Sequence, residues 1–136
     1  MTLRTHGGGC HCGAVRFEAD LDLSAGTVKC NCSICSKLRL WSVRVPLAAF
    51  RLLAGEAALT DYVGRNPVAH HLFCRTCGAH PFEWVDVPNM TGALYYNVNV
   101  GCLDGLDIDE LMAAPVTYAD GRNDAWASPP AEVRHL

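Results

Sequence analysis

The residues best equipped for chemistry are eight cysteines, seven of which fall into three tight groups. Cys10-His11-Cys12 comes first, Cys30-Asn31-Cys32-Ser33-Ile34-Cys35 second and Cys74-Arg75-Thr76-Cys77-Gly78 third; Cys102 stands alone. Cys10 and Cys12 do not easily close a disulfide on each other, because so short a ring strains the separation and torsion of the bond. Metal ligation is the chemistry this spacing serves. A Cys-x2-Cys turn followed by glycine aims two sulfurs at one point, and glycine supplies the positive φ of the turn. Cys77-Gly78 has this form, and Cys12-Gly13 places a glycine behind the first pair as well. The first and third groups therefore read as two halves of one tetrahedral four-thiolate site that ties distant parts of the chain together.

The middle group differs, because it offers three sulfurs within six residues and no fourth nearby. Three protein ligands and an open position distinguish a catalytic zinc from a structural one. Two assignments of Cys102 remain. It closes the second site as a fourth ligand, making both metals structural, or it is a small buried hydrophobe at a strand end, the ordinary fate of an unpaired cysteine. The second is the expectation taken forward.

The elements that must hold these groups are short. Ala14 to Ala19, Leu40 to Val45, Phe50 to Leu53 with Leu59 to Val63 across an Ala-Gly-Glu turn, Val68 to Phe73, His80 to Val85 and Ala93 to Val100 read as strands, several of them alternating. A turn of helix is expected over Ser33 to Leu38 with Ser33 as its cap, and another over Ile108 to Ala113 behind Asp107. The chain is mainly β, with metal at its hinges. At 136 residues it makes one domain over 1–127, long enough to bury roughly two thirds of its unfolded surface, followed by a loose tail over 128–136. The N-terminal residues hold no apolar run of the secretory type, and no later stretch approaches the ~20 apolar residues of a membrane span. Cysteines in such a chain are expected in a reducing cytoplasm, on metal rather than in disulfides. A net charge of −3 without a Lys/Arg run argues against nucleic acid or a membrane surface as partner.

GGCHCGAVRFE, CNCSICSK, FCRTCG and VNVGCLDGLD, in this order and at these separations, resemble the glutathione-dependent formaldehyde-activating enzyme family, which includes centromere protein V. The likeness runs from about Gly8 to Asp107 and continues more loosely to Trp126. It implies a β-tent of small antiparallel sheets organised around two zinc sites, with Cys10, Cys12, Cys74 and Cys77 on a structural zinc and Cys30, Cys32 and Cys35 on a catalytic one. The activity implied is that of a carbon–sulfur lyase joining a small thiol, glutathione or a similar one, to a small aldehyde such as formaldehyde. The alternative is a non-enzymatic zinc-stapled β module that binds a protein or peptide.

The remaining polar and aromatic residues carry plainer expectations. His11 is a solvent-facing spacer, His70 and His71 are surface or edge residues, and Lys37 is a solvated cation well placed for a substrate carboxylate. Tyr95 and Tyr96 put one ring on each face of a strand, one in the core and the other beside a pocket. Trp41, Trp84 and Trp126 are packing residues. Exposed sheet edges leave room for a homodimer.

Overall fold

The computed structural model describes residues 3–87 and 93–136, and the chain is mainly β. Alternation builds the first sheet. In β2 (Arg16–Leu21) every second side chain, Phe17, Ala19 and Leu21, is buried, and the strand pairs antiparallel with β1 (Arg4–Gly9) and β5 (Phe50–Ala54). At two of the three glycines of β1, Gly8 and Gly9, a side chain does not fit. A Cβ on Gly8 would lie 2.5 Å from both the Cys102 carbonyl and the Phe17 ring, and one on Gly9 would lie 2.2 Å from the Val15 carbonyl.

The second sheet has seven strands in the order β10-β3-β4-β9-β8-β7-β6. They are β3 (Thr27–Cys30), β4 (Trp41–Pro46), β6 (Leu59–Val63), β7 (Ala69–Cys74), β8 (Phe82–Val87), β9 (Ala93–Asn99) and β10 (Val116–Ala119). All neighbours are antiparallel except β10, which joins β3 in parallel. The two sheets meet through aromatic rings. Phe50 stacks on Tyr96 at 4.1 Å and on Phe17 at 5.4 Å, and Phe82 tilts against Phe50 at 4.6 Å. Aliphatic side chains from both sheets, among them Leu21, Val45 and Val98, complete this core.

β5 and β6 do not form the expected hairpin: β5 pairs with β2 and β6 with β7. Gly55 turns the chain out of the first sheet with φ 92°, and a Cβ there would stand 2.2 Å from the Ala14 carbonyl. A 3-10 turn over Glu56–Ala58 then delivers the chain to the other sheet. Strands β1, β3 and β10 lie outside the sequence-based expectation, being glycine-rich or only four residues long.

Both helices occupy the expected residues, α1 at Ser33–Leu38 and α2 at Ile108–Ala113. Asp107 caps α2, accepting from the Asp109 and Glu110 amides. The cap of α1 is Cys32 rather than Ser33, its sulfur accepting from the Cys35 amide at 3.4 Å. Ser33 is already the first helical residue. Among the described residues no helix is long and apolar enough to cross a membrane.

Candidate metal centres

Two antiparallel turns build the first centre. At the end of β1 the Cys10 amide donates to the Val15 carbonyl and the Gly13 amide to the Cys10 carbonyl; after β7 the Cys74 amide donates to the Ala79 carbonyl and the Gly78 amide to the Cys74 carbonyl. Gly13 at φ 85° and Gly78 at φ 77° supply the left-handed step in each. The turns are matching knuckles, one a residue shorter than the other. They bring Cys10, Cys12, Cys74 and Cys77 together, with all four sulfurs within 4.8 Å of one another. Cys10 and Cys12 are 3.6 Å apart and Cys12 and Cys74 3.7 Å. A tetrahedral ion with metal–sulfur bonds of about 2.3 Å needs sulfurs roughly 3.8 Å apart, so the four fit such an ion. Backbone amides of Ala79 and Cys12 push the Cys77 thiol down to about 6, favouring the ligating thiolate.

The second centre is assembled where β3 passes into α1. Cys30, Cys32 and Cys35 place their sulfurs within 4.8 Å of one another, and Cys102 is not among them. Cys30 is the anchor. The thiols of Cys32 and Cys35, with the amides of Cys32 and Gly121, all point to its sulfur and push it down to about 3, whereas Cys35, which donates in that cluster, is raised. Behind the sulfurs, buried Asn31 works as a clamp. Its amide nitrogen donates to Asp120 at 2.8 Å, its side-chain oxygen accepts the Arg122 amide at 3.0 Å, and its carbonyl takes Ser36 Oγ at 3.0 Å and Arg122 Nε at 3.2 Å. These contacts fix the cysteine loop against the segment after β10.

Cys102 lies elsewhere. It sits in the 3-10 turn after β9, half-buried, with its sulfur 3.7 Å from the His80 carbonyl. Burial, then the neighbouring Cys10 and Cys77, push its thiol up to about 11, so its electrostatic neighbours belong to the first centre. His11 is exposed, as is Lys37. Tyr96 faces the core, and Tyr95 lies on the opposite face beneath the Arg44 guanidinium, 4.0 Å from its ring centroid. A groove of about 440 Å³ borders Tyr96, Trp84 and His70 on the inner face of the large sheet. It lies on the opposite face from Tyr95.

The two histidines diverge. His70 pairs with Asp61 at 2.6 Å under the Trp84 ring at the groove, half-buried. His71 is not a surface residue: it is only 4% exposed and its Nδ1 lies 2.5 Å from Oε2 of Glu83, itself 6% exposed. Strand alternation puts one histidine on each face of β7, and His71 is the buried one. Glu83, Asn31 and Gly121 are the neighbours that sequence spacing does not reveal, since their partners come from other elements of the fold.

Residues 5–118 match the family described as glutathione-dependent formaldehyde-activating enzyme. The chain belongs to that family. A crystal structure of a Rhodobacter sphaeroides protein, solved as a structural-genomics target, is 33% identical, covers 82% of this chain and 99% of its own, and superposes with a TM-score of 0.67. The matched residues span all three cysteine groups, and the family's name links the chain to glutathione and formaldehyde chemistry. In this member of the family two cysteine-rich groups can hold metal ions.

Proposed function

We propose that the protein is a zinc-dependent carbon–sulfur lyase that forms or cleaves the adduct of glutathione, or a similar small thiol, with formaldehyde or another small aldehyde. One observation carries this: three sulfurs converge at the second centre and the eighth cysteine is not with them, leaving a tetrahedral ion one position for substrate. The ligands follow: Cys10, Cys12, Cys74 and Cys77 hold a structural zinc, and Cys30, Cys32 and Cys35 a catalytic one. Zinc on three thiolates is a soft site of formal charge −1, better suited to ionising a thiol than to activating water. The chain's own part is positional. Cys30 and the clamp at Asn31 hold the thiolate tripod in place, and Gly121 keeps the space behind it free of a side chain. Eight cysteines without a disulfide fit a reducing, cytoplasmic compartment. One domain over 1–127 with 128–136 as its tail is the division we adopt, and Lys29 Nζ donates to the Leu136 carbonyl at that tail. A homodimer through the exposed edge strand β6, which presents Tyr62 and Val63, completes the proposal.

The test is metal analysis with exchange NMR on the purified protein. Two zinc ions per chain and accelerated exchange between formaldehyde, glutathione and S-(hydroxymethyl)glutathione are expected. Two firmly held ions with exchange at the uncatalysed rate would favour the non-enzymatic module instead.

A further inference from the structure

The segment that follows β10 lies against the second centre and brings two side chains to it that the cysteine groups do not account for. Asp120 and Ala125 bridge across a 3-10 turn over Gly121–Asn123, and the Asp120 amide donates to the Ser128 carbonyl at 2.9 Å, so the segment forms a closed loop. Asn31 ties this loop to the cysteines through Asp120 and Arg122. One point locates the Trp126 ring. The position that a Cβ on Gly121 would take lies 2.5 Å from that ring and 2.7 Å from Cys30 Sγ, which sets ring edge and sulfur within about 5 Å of each other, an ordinary sulfur–aromatic separation. The indole N–H donates to Asp124 at 2.6 Å, which fixes the ring, yet Trp126 is 45% exposed. A ring that meets a cysteine of the centre and is nearly half open to solvent borders the approach to that centre.

Arg122 supplies a charge at the same place. Its Nε donates to the Asn31 carbonyl, one peptide bond from Cys32, which brings the guanidinium within roughly 9 Å of the Cys32 sulfur. Both carboxylates of the loop are engaged, Asp120 by Asn31 and Asn123 and Asp124 by the Trp126 indole, and among the described residues Arg122 forms no ion pair. A planar fork anchored at Nε, with Nη1 and Nη2 left for a ligand, matches the geometry of a carboxylate. Lys37, exposed on α1, has no such anchor. We propose that Arg122 and Trp126 are the residues with which the second centre selects its thiol, an inference that rests on the proposed function. Arg122 pairs with a carboxylate of the incoming thiol, and the Trp126 ring packs on the methylenes beside its sulfur. Without a fixed cation, a carboxylate-bearing thiol would be repelled by three thiolates already on the metal. The class selected is therefore a small thiol that carries a carboxylate; glutathione, with one at each end, belongs to it. Neutral thiols lack the partner, and an aminothiol sets its ammonium against the guanidinium. Both residues lie beyond 5–118, the span that matches the family, so the cysteine groups and the selecting residues come from different parts of the chain.

The experiment titrates the cobalt-substituted wild type, Arg122→Gln, Arg122→Lys and Trp126→Ala with mercaptopropionate, mercaptoethanol and cysteamine, which share an ethylene stem and differ in charge, and with glutathione. In Arg122→Gln the affinity ratio of mercaptopropionate to mercaptoethanol should fall about tenfold, and Arg122→Lys should recover part of it. Trp126→Ala should weaken all four thiols by about fourfold for each methylene that loses its contact, and leave the ratio alone. Because the ratio compares two ligands on one protein, a variant that merely loosens the metal lowers both affinities without moving it. An unchanged ratio in Arg122→Gln overturns the part given to Arg122 and leaves the thiol site standing, and wild-type affinities in Trp126→Ala overturn the part given to the ring. A wild type blind to every thiol overturns the proposed function and this inference together. Should Arg122→Gln fail to hold its metal, 15N NMR of the zinc-loaded wild type decides: glutathione must shift the Arg122 Nε and Trp126 Nε1 signals, and shifts confined to other residues overturn the assignment.

Discussion

Gly121 illustrates how much of the second centre depends on single residues far away in sequence. A Cβ there would lie 2.5 Å from the Trp126 ring and 2.7 Å from Cys30 Sγ, and the Gly121 amide is one of the donors to that sulfur. Gly121→Ala should therefore release the second metal and keep the first, read as a fall from two metals to one per chain with an unchanged circular dichroism spectrum. His71 gives a pH signature. Burial opposes its charge, but the Glu83 carboxylate, with Cys32 and Asp61, outweighs burial and raises its pKa above 6.5. A raised basic group contributes fully below the unfolded value and loses its contribution as pH rises through the folded one. The difference in denaturant midpoint between wild type and His71→Gln should therefore be largest below about pH 6.5 and shrink above it. Neither role is legible in the sequence. Alternation predicts that His70 and His71 face opposite ways, but which of them is buried depends on Glu83 across the strand pair, and nothing local marks Gly121.

At the scale of elements, the knuckles decide whether the sheets stay together. One knuckle closes the turn between β1 and β2 and the other the turn between β7 and β8, so an ion held by their four cysteines would join the small sheet to the large one. Structural zinc is worth about 10–16 kcal/mol of apparent binding, as much as a whole domain's stability. Cys12→Ser or Cys77→Ser should abolish cooperative folding. Cys32→Ser removes a ligand of the second centre and the cap of α1, and should lower the thermal midpoint less while retaining β-rich circular dichroism. Equal collapse of both variants would make the second centre structural. The grouping of the cysteines was legible because spacing and glycine position encode a turn locally. So were the spans of β6 and of both helices, with Asp107 marking the start of α2. The partners of β5 and β6 were not, because the connection at Gly55 looks like a hairpin turn and its destination is set by contact with Ala14. Likewise, a cysteine that caps a helix while grouped for metal is masked by the serine beside it.

Across the whole molecule, both centres lie at one end of the large sheet, one at the β3–β4 connection and the other at the β7–β8 turn. Three strand spacings separate them, roughly 14 Å, and the two groups have no cysteine in common. The first centre lies between the sheets and the second on the other face of the large sheet, the face that carries His71 and Glu83. Gentle chelation should accordingly remove the metals in two phases, the three-thiolate ion first, and release of both together would contradict their independence. The central claim is that the second centre keeps one position for a thiol. Cobalt-substituted protein titrated with glutathione and other small thiols tests it most directly. Binding should shift the thiolate-to-cobalt charge-transfer bands and release a proton, identically in wild type and Cys102→Ser, since Cys102 lies outside the three-sulfur group. A wild-type spectrum unmoved by any thiol, with a response appearing only in Cys102→Ser, would show that the position is closed and that the lyase account is wrong.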